Sequence, residues 1–193
     1  MKNELLISLY KRPETVFTLK DISILFPKIS YDNLKERMSY FAEKGGIKKI
    51  RRGVYGKDDY DVLELANKLY SPSYVSLETV LAKEGIIFQY YREIFLMSYL
   101  SRSLTVAGND LRYRKIRDEI LFNHKGIERI NQAEVATKER AFLDAVFIYK
   151  DYHFDNLRPL DWEKIEELKV IYQSKIFNKR LNDYHQIYKV DHV

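Results

Sequence analysis

From Asn3 to Lys11 the apolar residues Leu5, Leu6, Leu9 and Tyr10 share one side, which predicts a first helix ended by Pro13. The phrase Thr18-Leu19-Lys20-Asp21 is a capping box: the Thr18 hydroxyl accepts an orphan backbone N–H while Asp21 reaches back. It opens a second helix with Leu19, Ile22, Ile24, Leu25 and Phe26 as its buried face. Pro27 stops that helix, because the residue before a proline is pushed out of the helical region. Ser30 is a suitable N-cap for a third helix. In it Leu34, Met38 and Phe41 recur at helical spacing and face inward, leaving Tyr31, Asn33, Lys35, Arg37 and Tyr40 on or near the outer face. Gly45-Gly46 closes the helix, since glycine takes the left-handed conformation cheaply. Ile47 to Gly56 then reads as two short strands reversing near Arg52-Gly53, with a register that Ile47 and Ile50 leave open.

Asp58-Asp59-Tyr60-Asp61 marks a change of character and a module boundary. Asp61 caps a helix through about Leu69, with Leu63, Leu65, Ala66 and Leu69 apolar, and Ser71-Pro72-Ser73 breaks the chain. Ser76 is expected to open the next helix, ended by Gly85. Strand-like runs follow around Ile94–Leu100, Ser103–Val106, Tyr113–Ile120 and Ile127–Val135, with a turn at Gly108-Asn109-Asp110. Thr137 begins an amphipathic helix in which Ala141, Phe142, Ala145 and Val146 pack inward. Asp161 caps another through Tyr172, and a last helix runs from about Lys175 to Tyr188.

The fold class expected is α+β. Residues 1–57 form a winged helix-turn-helix domain, and residues 58–193 form an α+β domain ending in helices. Composition agrees with a folded chain: of 193 residues, 46% are hydrophobic and 32% charged, and none is cysteine. The absence of cysteine excludes disulfides and thiolate metal sites and suits a reducing cytoplasm. No apolar stretch approaches the roughly 20 residues needed to cross a bilayer, so no membrane partner is expected. Charge is unevenly placed. Residues 1–57 carry 13 Lys/Arg against 6 Asp/Glu, a net +7, and the remaining 20 against 22 leave −2 for residues 58–193. A basic module on a near-neutral one points to a polyanion that only the first part faces.

A winged module presents the start of its third helix to base edges while the wing and helix N-termini grip phosphates. The candidate double-stranded DNA contacts are therefore Tyr31, Asn33, Lys35 and Arg37 on the helix, and Lys48, Lys49, Arg51 and Arg52 on the wing. Asn33 and Arg37 have the side chains for bidentate contact with adenine and guanine respectively. Asp32 and Glu36 on the same helix repel phosphates and favour an alternative, a winged fold that binds protein. A single module covers little DNA, so two copies on paired half-sites are expected. Catalytic signatures are not evident: His124, His153, His185 and His192 are dispersed, and phosphate-binding glycine loops and nucleophile elbows are lacking. No cofactor, metal or catalytic residue is expected. A metal-dependent nuclease built from Asp110, Asp118, Glu119 and Glu134 is a competing reading, as is a regulator whose second domain binds a small ligand.

Two phrases in the second module carry a family resemblance. Tyr74-Val75-Ser76-Leu77-Glu78, with Leu81 and Gly85, and Ala136-Thr137-Lys138-Glu139-Arg140-Ala141-Phe142-Leu143-Asp144 follow the winged module in order. The chain resembles the abortive-infection antitoxins of the AbiEi type over roughly residues 15–150. The second phrase follows that family's pattern of a strand feeding an A-T-x-E-[KR]-A-x-L-D helix. The resemblance implies the antitoxin half of a type IV toxin–antitoxin pair, whose toxin is a nucleotidyltransferase-like protein. It also implies a winged domain that represses its own promoter at inverted repeats and a C-terminal domain that supplies antitoxicity. Neither phrase is catalytic, and the second reads as a fold signature more than a contact site.

Overall fold

The computed structural model describes residues 4–190; Asn3 and His192 lie outside the described residues. The chain opens with α1 (Glu4–Tyr10), β1 (Val16–Thr18), α2 (Leu19–Leu25), α3 (Tyr31–Glu43), β2 (Lys48–Arg51) and β3 (Val54–Gly56). The three strands form an antiparallel sheet in the order β1-β3-β2. The sequence pattern did not reveal β1, because three residues are too few to display a period. Leu5, Leu9, Phe17, Leu19, Ile22, Leu34, Met38, Phe41, Ile47 and Tyr55 make a core between the helices and one face of this sheet. Ile24 is a correction: it is 68% exposed. Two residues beyond inward-facing Ile22, it is carried round to the opposite side of the helix.

The capping expectations hold where both partners are local. The Thr18 hydroxyl accepts from the Asp21 amide while the Asp21 carboxylate accepts from the Thr18 amide. Ser30 Oγ accepts from the Asn33 amide. Gly45, just past α3, has a φ of 70°, the left-handed geometry that costs a β-carbon roughly 1–2 kcal/mol. A register shift between Lys49 and Arg51 accommodates Ile50 as the extra residue of a bulge.

The second part comprises α4 (Val62–Leu69), β4 (Ser73–Val75), α5 (Glu78–Lys83), β5 (Ile94–Ser98), β6 (Arg102–Val106), β7 (Asn109–Lys115), α6 (Asp118–Leu121), β8 (Ile127–Ile130), β9 (Ala133–Ala136), α7 (Lys138–Ile148), α8 (Trp162–Leu168) and α9 (Lys175–Val190). Six strands form one mixed sheet, β6-β7-β5-β4-β9-β8, with β4–β9 and β5–β7 parallel. The chain is thus α+β. Tyr74 of β4 reaches α7 on one face, while Ser73 of β4 and Tyr113 of β7 hydrogen-bond α4 on the other.

Several boundaries differ from the sequence reading. Ser76 does not cap a helix, because the preceding residues are strand β4 and α5 starts only after Leu77, whose φ is 54°. The Ser76 hydroxyl is used in the core instead. The reversal placed at Gly108-Asn109-Asp110 sits at Ala107-Gly108, both with positive φ, and Asn109 already pairs in β7. The run Tyr113–Ile120 is the end of β7 followed by α6. Ile127–Val135 is a hairpin of two strands, turning at Asn131, where φ is 54°. Asp161 caps α8, which ends at Leu168, and a 3-10 turn, Lys169–Ile171, follows it.

The two parts share buried surface. Phe17 and Tyr55 point into the three-helix core, while Val16 and Val54, on the opposite face of the small sheet, pack against Leu65 of α4 and Val106 of β6.

Candidate nucleic-acid interface

On α3 the inward set Leu34, Met38 and Phe41 leaves Tyr31, Asn33 and Lys35 exposed at the start of the helix. Arg37 is half-buried and makes an intramolecular contact of its own. Asp32 and Glu36 are exposed one turn apart on the same face. The reading positions therefore alternate with carboxylates along one helix surface.

The hairpin splits three of its four cations between two faces and holds the fourth in its turn. Residues directly opposite on paired strands share a face. Lys49 lies opposite Tyr55 and Phe17 and stands on the side of the helices. Lys48 lies opposite Gly56, which pairs with Val16, and its ammonium donates to the Asp58 carbonyl at 2.6 Å. Arg51 lies opposite Val54, on the face turned toward the second part. Arg52 occupies the turn with Gly53, whose φ is 76°. The Gly53 carbonyl accepts from the Leu19 amide at 2.9 Å, which fixes the hairpin tip to the first turn of α2. Lys49 thus stands on the side of the helices, Lys48 and Arg51 lie on the opposite face, and Arg52 sits in the turn held to α2.

Two further exposed cations, which the sequence reading left out, lie on α2 and the turn before α3. Lys20 is in the first turn of α2 and Lys28 in the turn between α2 and α3. Their only sequence signal is position on the segment from α2 to α3, since isolated lysines are common on any surface.

The phrases that carried the family resemblance meet in the core of the second part. Arg140 and Asp144 of α7 are fully buried and lie one turn apart. Asp144 accepts from the hydroxyls of Ser76 (2.8 Å), Tyr74 (3.2 Å) and Tyr172 (2.7 Å). Burial pushes the Asp144 carboxyl upward, against the pull of Arg140 and these three hydroxyls. Arg140 donates to the Tyr74 hydroxyl and to the carbonyls of Ile120, Lys125 and Asn123. With the Arg140, Asp144 and Ser76 side chains fully buried, the network is a fold-forming constellation.

The carboxylates weighed for a nuclease do not converge: no group of three His, Cys, Asp or Glu suited to a metal occurs among the described residues. Asp110 instead accepts from the Thr105 hydroxyl at 2.6 Å. A cleft of about 750 Å³ lies between α2 and the second part, with Lys20, Asp21 and Ile24 on one wall and Tyr70, Pro72, Tyr99 and His124 on the other. No helix among the described residues is long and apolar enough to cross a membrane. A comparison with protein-family models and with curated proteins finds no match for the chain.

Proposed function

We propose that this protein is a DNA-binding autoregulator that serves as the antitoxin of a type IV toxin–antitoxin pair and has no enzymatic activity. The observation that carries the DNA half is the arrangement of residues 4–56. Helix, strand, two helices and a hairpin follow in the order α1-β1-α2-α3-β2-β3, with a sheet ordered β1-β3-β2. That order, with capped α3 beside a hairpin bearing Lys49 and Arg52, is what a winged helix-turn-helix requires. Asn33 and Lys35 then face base edges or phosphates from α3, and Lys20 and Lys28 add phosphate contacts. Two copies on an inverted repeat give the footprint that one module lacks.

The antitoxin half is supported by the AbiEi-like phrases, because the residues that define them, Tyr74, Ser76, Arg140 and Asp144, assemble one core. A shared core of this kind is what a family fold signature predicts. The toxin partner is a nucleotidyltransferase-like protein encoded nearby, acting in the cytoplasm. The inter-module cleft favours a second reading, a regulator that senses a small ligand without a toxin.

Two measurements test the proposal. Gel shifts with the region upstream of the gene should show retardation that weakens steeply as salt rises. Co-expression with the adjacent reading frame should restore growth that the neighbour alone suppresses. Absence of retardation in dilute buffer would remove the DNA half, and unrelieved toxicity or a harmless neighbour would remove the antitoxin half in favour of ligand sensing.

A further inference from the structure

A line of charge runs from the second part of the chain into the first turn of α2. Glu64 of α4 is fully buried, and its Oε2 accepts from the Thr15 amide (2.8 Å) and the Thr15 hydroxyl (2.6 Å). Its other oxygen, Oε1, lacks a hydrogen-bond donor and has only the ammonium of Lys68 at 3.7 Å, one helical turn on. Lys68 in turn lies 3.1 Å from Asp21 Oδ2, the same oxygen that accepts from the Thr18 amide in the capping box. Burial disfavours the Asp21 carboxylate, yet the Thr18 amide and Lys68 outweigh it and hold its proton affinity below the ordinary value. From the start of α2 the Leu19 amide continues to the Gly53 carbonyl at the hairpin tip.

We propose that Lys68 and Glu64 are positioning residues for DNA binding: α4 holds α2, and through it α3 and the hairpin, in the binding orientation without touching DNA. The inference rests on the DNA reading above and adds to it a dependence on residues outside the basic module. Lys68 is the critical link, because it neutralises a buried carboxylate on one side and a helix-capping carboxylate on the other. Removing it leaves the buried Glu64 carboxyl without its counter-ion, a state that favours separation of α4 from β1 and α2. Ordinary electrostatics and positioning make opposite forecasts for Asp21. Taking away its negative charge should tighten DNA binding if only charge matters, and weaken it if the Lys68 link matters.

The test uses the full chain and a labelled duplex of its upstream region, titrated at several salt concentrations. The variants are Lys68→Ala, Lys68→Arg, Asp21→Asn and the double variant Lys68→Ala/Asp21→Asn, with thermal melting to verify folding. Lys68→Ala and Asp21→Asn should each weaken binding, roughly two- to thirtyfold. The double variant should lose no more than the worse single, since both break one link. Lys68→Arg, which keeps the charge, should restore wild-type affinity and also covers the case in which the alanine variant fails to fold. The log–log salt slope should stay unchanged. A slope flattened by about 0.9 for Lys68→Ala would mark a direct phosphate contact and overturn the inference, as would tighter binding by Asp21→Asn. If the wild type ignores the duplex, the DNA reading falls and the inference with it. If the wild type binds and Lys68→Ala binds equally well, the inference falls alone.

Discussion

Asp144 has no solvent contact, and its carboxylate is balanced by one arginine and three hydroxyls from β4, the residue that follows it and the segment before α9. Asp144→Ala should therefore cost about 3–5 kcal/mol, because Arg140 is left as an unbalanced buried charge. A urea midpoint barely moved from wild type would contradict this. Asp21 gives the pH dependence. Its carboxyl is held below the ordinary value in the folded chain, so its contribution is complete above about pH 4, the unfolded range for aspartate. It drains away as pH falls further through the folded-state value, and Asp21→Asn should remove that part of the acid sensitivity in urea titrations between pH 3 and 7. The capping residues Thr18, Ser30, Asp61, Thr137 and Asp161 were readable in the sequence, since each meets its partner within three residues. Arg140, Asp144 and Glu64 were not. Their partners stand up to 70 positions away in the chain, and a polar residue on a helix ordinarily signals solvent.

The hairpin shows the same limit for an element. Its turn was legible from Arg52-Gly53, but the bulge at Ile50 was not, and the bulge decides which cations share a face with α3. Lys49→Ala and Arg52→Ala should each flatten the salt slope of DNA binding by about 0.9. Lys48→Ala, whose ammonium is held by the Asp58 carbonyl, should leave the slope where it was. Equal effects at all three positions would show that the register does not govern the contacts. Gly53→Ala should destabilise by roughly 1 kcal/mol or more, because φ there is positive, and a melting temperature equal to wild type would argue for a rearranged turn. The short strands β1 and β4 escaped the sequence reading for lack of length, whereas α3 and α7, with two or more turns of inward residues and good caps, did not.

At the scale of the molecule, the charge split made a basic first module legible, and the winged reading of it followed from turn and cap residues. Its dependence on α4 was hidden, because Leu65 looks like any apolar helix residue until Val16 and Val54 are seen against it. A fragment of residues 1–57 uncovers those two valines and takes the acceptor from the Thr15 amide. It should be less stable than a fragment of residues 1–70 by roughly 3 kcal/mol or more, measured by denaturant unfolding followed by circular dichroism. Fragments of equal stability would mean that α4 is a passenger. The Tyr172 hydroxyl on Asp144 carries a consequence for synthesis. A nascent chain that has made α7 still holds an aspartate and an arginine short of one ligand until residue 172 is translated. Copies stopped before that point keep an unfinished interior, and become prey for proteases.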